Sequence, residues 1–138
     1  MPAKILIVDD DPDMVELLQL ALTEAGYSAC TAATGTEALA EAQRSSPDLV
    51  ILDLLLPEMN GFGVCESLRR NPATASVPII MTTVLPGQFP RLVGLETGVN
   101  VYFNKPFQTQ ELVSCVDGLL AGSGKGSELA SAPGSLAA

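Results

Sequence analysis

Five short runs of mostly apolar residues, separated by segments with helical periodicity, constrain the fold of this chain most strongly. The runs are KILIV, SACTAA, DLVILDL, VPIIMTT and VYF. Because they are continuous rather than alternating in polarity, both faces of the predicted sheet should be covered. Strands that alternate with helices are typical of parallel sheets. The pattern therefore predicts an α/β fold, a doubly wound five-stranded parallel sheet with five helices on both faces.

Residues typical of helix ends support the prediction that the segments between the strands are helices. Asp11 suits the N-cap of the first helix, with Pro12 at its first position and Gly26 beyond its end. Thr34 and Glu37 form a capping-box pattern at the start of the second helix. The remaining helices are predicted at about 61–70, at about 91–97, and after Thr109 as a cap.

The composition changes beyond Ala121. The chain has 138 residues, of which 47% are hydrophobic, enough for one domain with a substantial core. Residues 122–138 are mostly Gly, Ser and Ala and offer little to bury. We predict a folded domain over 1–121 and a flexible tail over 122–138, either a linker, a natural tail or a remnant of expression, that contributes nothing to the core.

The charge balance restricts the partners of this domain. The 7 basic and 16 acidic residues give a net charge of −9. This argues against direct binding of DNA or RNA, which requires a basic face, and it suits a divalent cation. The first residues do not resemble a signal peptide. No segment approaches the roughly 20 apolar residues of a membrane helix, so we expect no membrane association.

Cysteine and histidine usage narrows the chemistry further. Cys30, Cys65 and Cys115 are odd in number and lack C-x-x-C spacing. They are interpreted as small core residues rather than as disulfide partners or zinc ligands. This interpretation places the protein in the reducing cytoplasm. The sequence contains no histidine. This excludes a serine–histidine triad, a histidine-ligated metal and a phosphohistidine on this chain.

The conspicuous polar residues follow the ends of the predicted strands. Asp9 and Asp10 follow the first strand, Asp53 the third, Thr83 the fourth and Lys105 the fifth. Doubly wound folds bind ligands at the carboxyl edge of the sheet. Burial of an ionised carboxylate among apolar residues is costly without a partner. We therefore predict that Asp53 belongs to a binding site at this edge and not to the core.

Four sequence blocks resemble the signature blocks of response-regulator receiver domains. In chain order they are ILIVDDDP, ILDLLLPEMNG, PIIMTT and YFNKPF. The resemblance covers residues from about 3 to 121 and rests on all four blocks in register. It implies a flavodoxin-like sheet with strand order 2-1-3-4-5.

The resemblance also implies roles for the acidic residues. Asp53 matches the phosphoacceptor, Asp10 a direct Mg²⁺ ligand, and Asp9 a second acidic residue that often acts through water. Leu55 would supply a backbone carbonyl to the metal. Three converging carboxylates would repel one another, and a divalent cation such as Mg²⁺ offsets this repulsion.

Three further residues match functional positions of the family. Thr83 matches the switch hydroxyl, Lys105 the lysine that faces the phosphoryl group, and Tyr102 the switch aromatic residue. The peptide bond between Lys105 and Pro106 is expected to be cis by this resemblance. Phosphorylation would draw Thr83 inward and let Tyr102 occupy the vacated space, which would remodel the surface of the predicted fourth helix, fifth strand and fifth helix.

The function implied is a phosphoacceptor signalling switch rather than an enzyme, with self-catalysed phosphorylation from small donors and autodephosphorylation. A sensor histidine kinase or a phosphotransfer protein would donate the phosphoryl group. A downstream protein or a missing output domain would receive the signal, and a homodimer on phosphorylation is left open. One alternative is an interaction module that works without phosphorylation, with Val84 and two prolines, Pro86 and Pro90, altering the switch loop. A Mg²⁺-dependent phosphohydrolase is disfavoured because Leu55 stands where such enzymes usually carry a second aspartate.

Simpler interpretations of individual residues remain at this stage. Asp9 and Asp10 could form a solvated turn, Thr82 could replace Thr83 in the site, and Tyr102 could be a plain core residue. Lys105 by itself would be an ordinary loop lysine. Glu58 and Asn60 are interpreted as loop residues, and Gly61 as supporting the turn into the third helix.

Overall fold

A computed structural model describes residues 2–85, 98–121 and 130–131 of the chain. From the first strand to the fourth, strands and helices alternate as the sequence predicts. The elements are β1 (Lys4–Val8), α1 (Pro12–Glu24), β2 (Ser28–Ala32), α2 (Gly35–Ser45), β3 (Leu49–Asp53), α3 (Gly61–Arg70), β4 (Ile79–Thr83), β5 (Val101–Asn104), α4 (Thr109–Ala121) and β6 (Ala130–Ser131).

The strands form one parallel sheet in the order β2-β1-β3-β4-β5-β6. The predicted order of the first five strands is confirmed. The sixth strand was not predicted: Ala130 pairs with Val101 and Ser131 with Tyr102. Neighbouring parallel strands require a crossover connection, and α4 lies between β5 and β6 in the chain. The predicted flexibility of 122–138 stays a prediction.

Four of the five predicted helices lie in the described part of the chain, and the helix predicted at 91–97 falls outside it. The Asp11 carboxylate accepts from the backbone N–H of Asp13, and Pro12 begins α1. Thr34 caps α2 by accepting from the N–H of Glu37. The prediction for the last helix was wrong by one position, since α4 includes Thr109 as its first residue.

Two apolar layers, one on each face of the sheet, form the core. One layer includes residues of α2 and α3 and the other includes residues of α1 and α4. Helices on both faces explain why β3 and β4 are buried along their whole length. The inward-facing helix residues are Ala38, Ala42, Val64, Cys65 and Leu68 in the first layer, and Leu18, Leu22, Leu112 and Val116 in the second.

The three cysteines differ in burial, and only Cys65 is a fully buried core residue as predicted. All three lie in the described residues and none forms a disulfide; Cys65 is buried, while Cys30 and Cys115 are half-buried. Burial raises the pKa of the Cys115 thiol to about 11, so this thiol remains protonated and unreactive near neutral pH. None of the helices in the described ranges is long and apolar enough to cross a membrane.

Candidate functional site

Two strand ends bring the three aspartates together. Val8 pairs with Leu52 in the register of β1 and β3, so the residues that follow, Asp9 and Asp53, lie side by side at the carboxyl edge. Asp9 is 3% exposed and Asp53 is 6% exposed, whereas Asp10 is exposed. Each of the three offers one carboxylate oxygen, and these oxygens lie within 4.8 Å of one another.

Lys105 projects into this acidic group from the loop that follows β5. Its Nζ donates to Asp9 Oδ2 at 2.9 Å and lies 3.6 Å from Asp53 Oδ1. The Lys105–Pro106 peptide bond is cis, as predicted. Residues separated by up to 96 positions in the sequence therefore form a single charged site.

The electrostatics of the site make Asp53 a weaker acid than an ordinary aspartate. Burial and the neighbouring charge of Asp9 raise the pKa of Asp53 to about 6, although Lys105 and the backbone N–H of Leu55 oppose the increase. Burial lowers the pKa of Lys105, but its hydrogen bond to Asp9 and the charges of both aspartates outweigh this effect and leave the pKa raised. The site thus holds one permanent cation and an excess of carboxylates.

This group of donors fits a Mg²⁺ ion. Mg²⁺ prefers oxygen ligands, retains several waters and is commonly held by one or two carboxylates together with phosphate oxygens. Asp10 is accessible to a hydrated ion, while Asp9 and Asp53 are held in place beside it. Asp9 Oδ1 also accepts from the backbone N–H of Asp11, which fixes its orientation.

Thr83 contacts the backbone of Lys105, whereas Tyr102 lies in one layer of the core. Thr83 ends β4 and is fully buried, and its carbonyl accepts from the backbone N–H of Lys105 at 2.7 Å. Thr82 instead pairs with Asp53 in the sheet, and its carbonyl accepts from the N–H of Leu54. Tyr102 is 2% exposed and packs in the layer against α2 and α3.

Three exposed apolar side chains lie on the loops at this edge of the sheet. Leu55 follows β3 and is 48% exposed, while Val84 and Leu85 follow β4 and are 60% and 39% exposed. Residues 86–97 of the connection from β4 to β5 are not described, so Pro86 and Pro90 lie outside the described part of the chain. The charged site therefore has apolar neighbours on two loops.

Two roles near the site were missed or understated by the sequence interpretation. Asn60 was treated as a loop residue, but it is the N-cap of α3 and accepts from the N–H of Gly63. Gly61 does more than support a turn, because its N–H donates to the Leu54 carbonyl in a close approach to the strand that carries Asp53. The Asn-Gly pair before an apolar run signals the cap, whereas the close approach depends on the tertiary structure.

The comparison with known families identifies the family of the chain. The sequence matches the response regulator receiver domain family over residues 5–117. This chain belongs to that family. Receiver domains are signalling switches of two-component systems rather than conventional enzymes.

Individual relatives agree with this assignment. The receiver domain is 40% identical over 117 residues to the DNA-binding dual master transcriptional regulator RpaA of Synechocystis sp., covering 85% of this chain but 48% of RpaA. It therefore spans about half the length of that relative.

Solved structures show the same fold. The signal receiver domain of a signal transduction histidine kinase from Syntrophus aciditrophicus has a TM-score of 0.82 and 35% identity, covering 89% of this chain and 93% of that one. The chemotaxis response regulator CheY4 of Vibrio cholerae has a TM-score of 0.81 and 32% identity, covering 85% of this chain and 98% of that one.

Proposed function

We propose that this receiver domain is a signalling switch that accepts a phosphoryl group on Asp53. The observation that carries the proposal is the position of Lys105 Nζ, 2.9 Å from Asp9 and 3.6 Å from Asp53 in a site of three converging carboxylates. A half-buried cation beside a nucleophilic carboxylate is suited to a reaction in which negative charge approaches the nucleophile. Catalysis of phosphoryl transfer depends mainly on such positioning and charge stabilisation.

In the proposed reaction an Asp53 carboxylate oxygen forms a bond to the phosphorus of the donor. The bond from phosphorus to the donor nitrogen or oxygen breaks, and its electron pair leaves with the donor. Lys105 screens the negative charge of the phosphoryl oxygens and thereby lowers the repulsion that Asp53 would meet. Asp9 holds Lys105 in this position through the hydrogen bond at 2.9 Å.

The site is proposed to use Mg²⁺, with side-chain oxygens of Asp9, Asp10 and Asp53 and the backbone carbonyl of Leu55 as its protein ligands. When bound, Mg²⁺ supplies positive charge that offsets the carboxylates and the transferred phosphoryl group. The acidic residues remain the elements that position the ion, and Asp53 remains the nucleophile.

The output of the switch is proposed to depend on Thr83 and Tyr102. A phosphoryl group adds negative charge and acceptor oxygens, to which the Thr83 hydroxyl would donate. Tyr102 would follow this movement and alter the surface near β5 and α4, where a partner or a second copy of the chain would bind.

The proposed partners follow from this chemistry. The phosphoryl donor is a sensor histidine kinase or a phosphotransfer protein in the cytoplasm. The signal passes to an output domain or to a separate downstream protein. Although RpaA is named as DNA-binding, the net charge of −9 argues against direct nucleic-acid binding by this domain.

Intact-mass measurement after incubation with acetyl phosphate tests the proposal. With Mg²⁺, we expect the wild-type chain to gain one phosphoryl group and the Asp53→Asn variant to gain none. Omission of Mg²⁺ should slow the gain strongly. Asp48→Asn is the matched control, because Asp48 is an exposed carboxylate that accepts from the N–H of Lys4 at the opposite edge of the sheet.

Labelling of Asp53→Asn at the wild-type rate would show that another residue is modified. Absence of labelling of the wild-type chain, both from acetyl phosphate and from a phosphorylated histidine phosphotransfer protein, would instead favour the phosphorylation-independent interaction module.

The exposed leucines beside the site are expected to prolong the phosphorylated state. Leu55 and Leu85 lie two residues beyond Asp53 and Thr83, where their apolar side chains would hinder approach of the water that attacks the phosphoryl group. Replacing both with asparagine should accelerate dephosphorylation several-fold, measured as decay of the phosphorylated mass. The paired control is Leu17→Asn with Leu20→Asn, since these leucines of α1 are also exposed. An unchanged decay rate in the Leu55 and Leu85 variant would contradict this prediction.

A further inference from the structure

Asn104 lies next to Lys105 and has no role in the site described so far. It is the last residue of β5 and pairs with Thr83, the last residue of β4. Residues that pair in neighbouring parallel strands direct their side chains to the same face of the sheet. The register therefore places the Asn104 amide beside the loop that Thr83 begins.

Two hydrogen bonds connect Asn104 to the Thr83 hydroxyl through one residue. The Asn104 side-chain Nδ2 donates to the Leu85 carbonyl at 2.9 Å. The backbone N–H of Leu85 in turn donates to Thr83 Oγ1 at 3.0 Å. Leu85 is thus held at its carbonyl by Asn104 and at its N–H by Thr83, which fixes the first two residues beyond β4.

This connection determines what the Thr83 hydroxyl can do. A hydroxyl carries one donor hydrogen and two acceptor lone pairs. Since one lone pair accepts from Leu85, the hydrogen points away from Leu85 and can be donated to an acceptor such as a phosphoryl oxygen. The Thr83 carbonyl is held separately by the N–H of Lys105, so the backbone beneath the hydroxyl is fixed as well.

We propose that Asn104 is a positioning residue for phosphorylation of Asp53. By holding the Leu85 carbonyl it keeps the Leu85 N–H on Thr83 Oγ1, and this orients the Thr83 hydroxyl before the phosphoryl group arrives. The proposal rests on the function proposed above and adds no chemical step to it. Orientation in advance of reaction lowers the barrier because less reorganisation is needed in the transition state.

The rate of phosphorylation by acetyl phosphate at a fixed Mg²⁺ concentration tests the proposal. Intact-mass measurements over time give this rate. Asn104→Ala removes the donor and should slow the gain of the phosphoryl group about three- to tenfold, the range expected for one hydrogen bond. Asn104→Gln keeps an amide donor and should recover most of the rate. Asn71→Ala is the matched control, since Asn71 is the C-cap that follows α3, away from this edge of the sheet, and its replacement should leave the rate unchanged.

Repeating the measurement in the Thr83→Val variant distinguishes a positioning role of Asn104 from a loss of folding. If Asn104 acts through the Thr83 hydroxyl, Asn104→Ala should have almost no further effect once Thr83→Val has removed that hydroxyl. A loss of folding would instead slow the reaction in both backgrounds. The thermal midpoint of each variant, measured by circular dichroism, serves as the check on folding.

Each result has a distinct meaning. A wild-type rate for Asn104→Ala would overturn the positioning role and leave the proposed function intact. An equal slowing in the wild-type background and in the Thr83→Val background would also overturn it, because the effect would not pass through the hydroxyl. Failure of the wild-type chain to gain a phosphoryl group would overturn both the proposed function and the role of Asn104.

Discussion

Replacing Gly61 with alanine is expected to lower the free energy of unfolding by about 1–3 kcal/mol, the usual cost of forcing extra atoms into a packed site. A Cβ at this position would lie 2.6 Å from the Asp53 carbonyl oxygen and 2.9 Å from Leu54 Cα. Both are backbone atoms, so the end of β3 that carries the proposed phosphoacceptor Asp53 must move. Phosphorylation from acetyl phosphate should slow as well, by up to about 100-fold, since small displacements of a reacting group are costly.

Urea unfolding of the Gly61→Ala variant measures the first effect, and the intact-mass assay measures the second. Gly118→Ala is the matched control in α4, because no heavy atom of the described residues would lie within 4 Å of its Cβ. Alanine is the better helix former, so this control should raise the free energy of unfolding by about 0.5–1 kcal/mol. If the two variants had equal free energies of unfolding and equal phosphorylation rates, the loop after Asp53 would be able to accept a methyl group without loss of stability.

Replacing Arg69 with methionine is expected to lower the free energy of unfolding by about 2–4 kcal/mol, because several charge-assisted hydrogen bonds are lost together. The half-buried guanidinium donates to the carbonyls of Gly98 at 2.8 Å, Val77 at 2.7 Å and Ala75 at 3.1 Å. It also donates to Asn100 Oδ1 at 3.0 Å. Methionine keeps the apolar stem but leaves these acceptors without their donor.

The adjacent arginine provides the control for this variant. Arg70 is 76% exposed and lies 3.8 Å from Glu66, an arrangement that contributes little to stability. Arg70→Met should therefore change the free energy of unfolding by less than about 0.5 kcal/mol. Both variants can be compared by their urea midpoints, with the same dependence of the free energy of unfolding on urea concentration assumed for each. A small effect at Arg69 would mean that water replaces the guanidinium at these carbonyls.

Secondary structure was predictable wherever a local signal acted without competition. The KILIV run forms β1 over its full length, and α3 begins at Gly61 and ends at Arg70, as predicted. The error at Thr109 was one of position, since a threonine suits both the cap and the first turn of a helix. The strand at Ala130–Ser131 had no sequence signal, because two residues without an apolar run pair only where an edge strand is available.

Some residues in and around the site could be recognised from the sequence, and others could not. Asp53 could be singled out because a carboxylate inside an apolar strand is costly, and its raised pKa reflects that burial. Asn104 could not, because an asparagine before a lysine is an ordinary loop signal until the register sets it opposite Thr83. Arg69 resembled its neighbour Arg70 in the sequence, although of the two only Arg69 turns toward five carbonyl or amide oxygens of the surrounding loops.

The sequence by itself determined the alternation of strands and helices, the burial of both sheet faces and the presence of acidic, hydroxyl and basic residues at the strand ends. These features follow from local composition and periodicity, which act over a few residues. Only the tertiary structure decided which oxygen Lys105 contacts, how Leu85 connects Asn104 to Thr83, and why Gly61 cannot carry a side chain. Those contacts join residues far apart in the chain or depend on distances below 3 Å, and strand register and packing determine them.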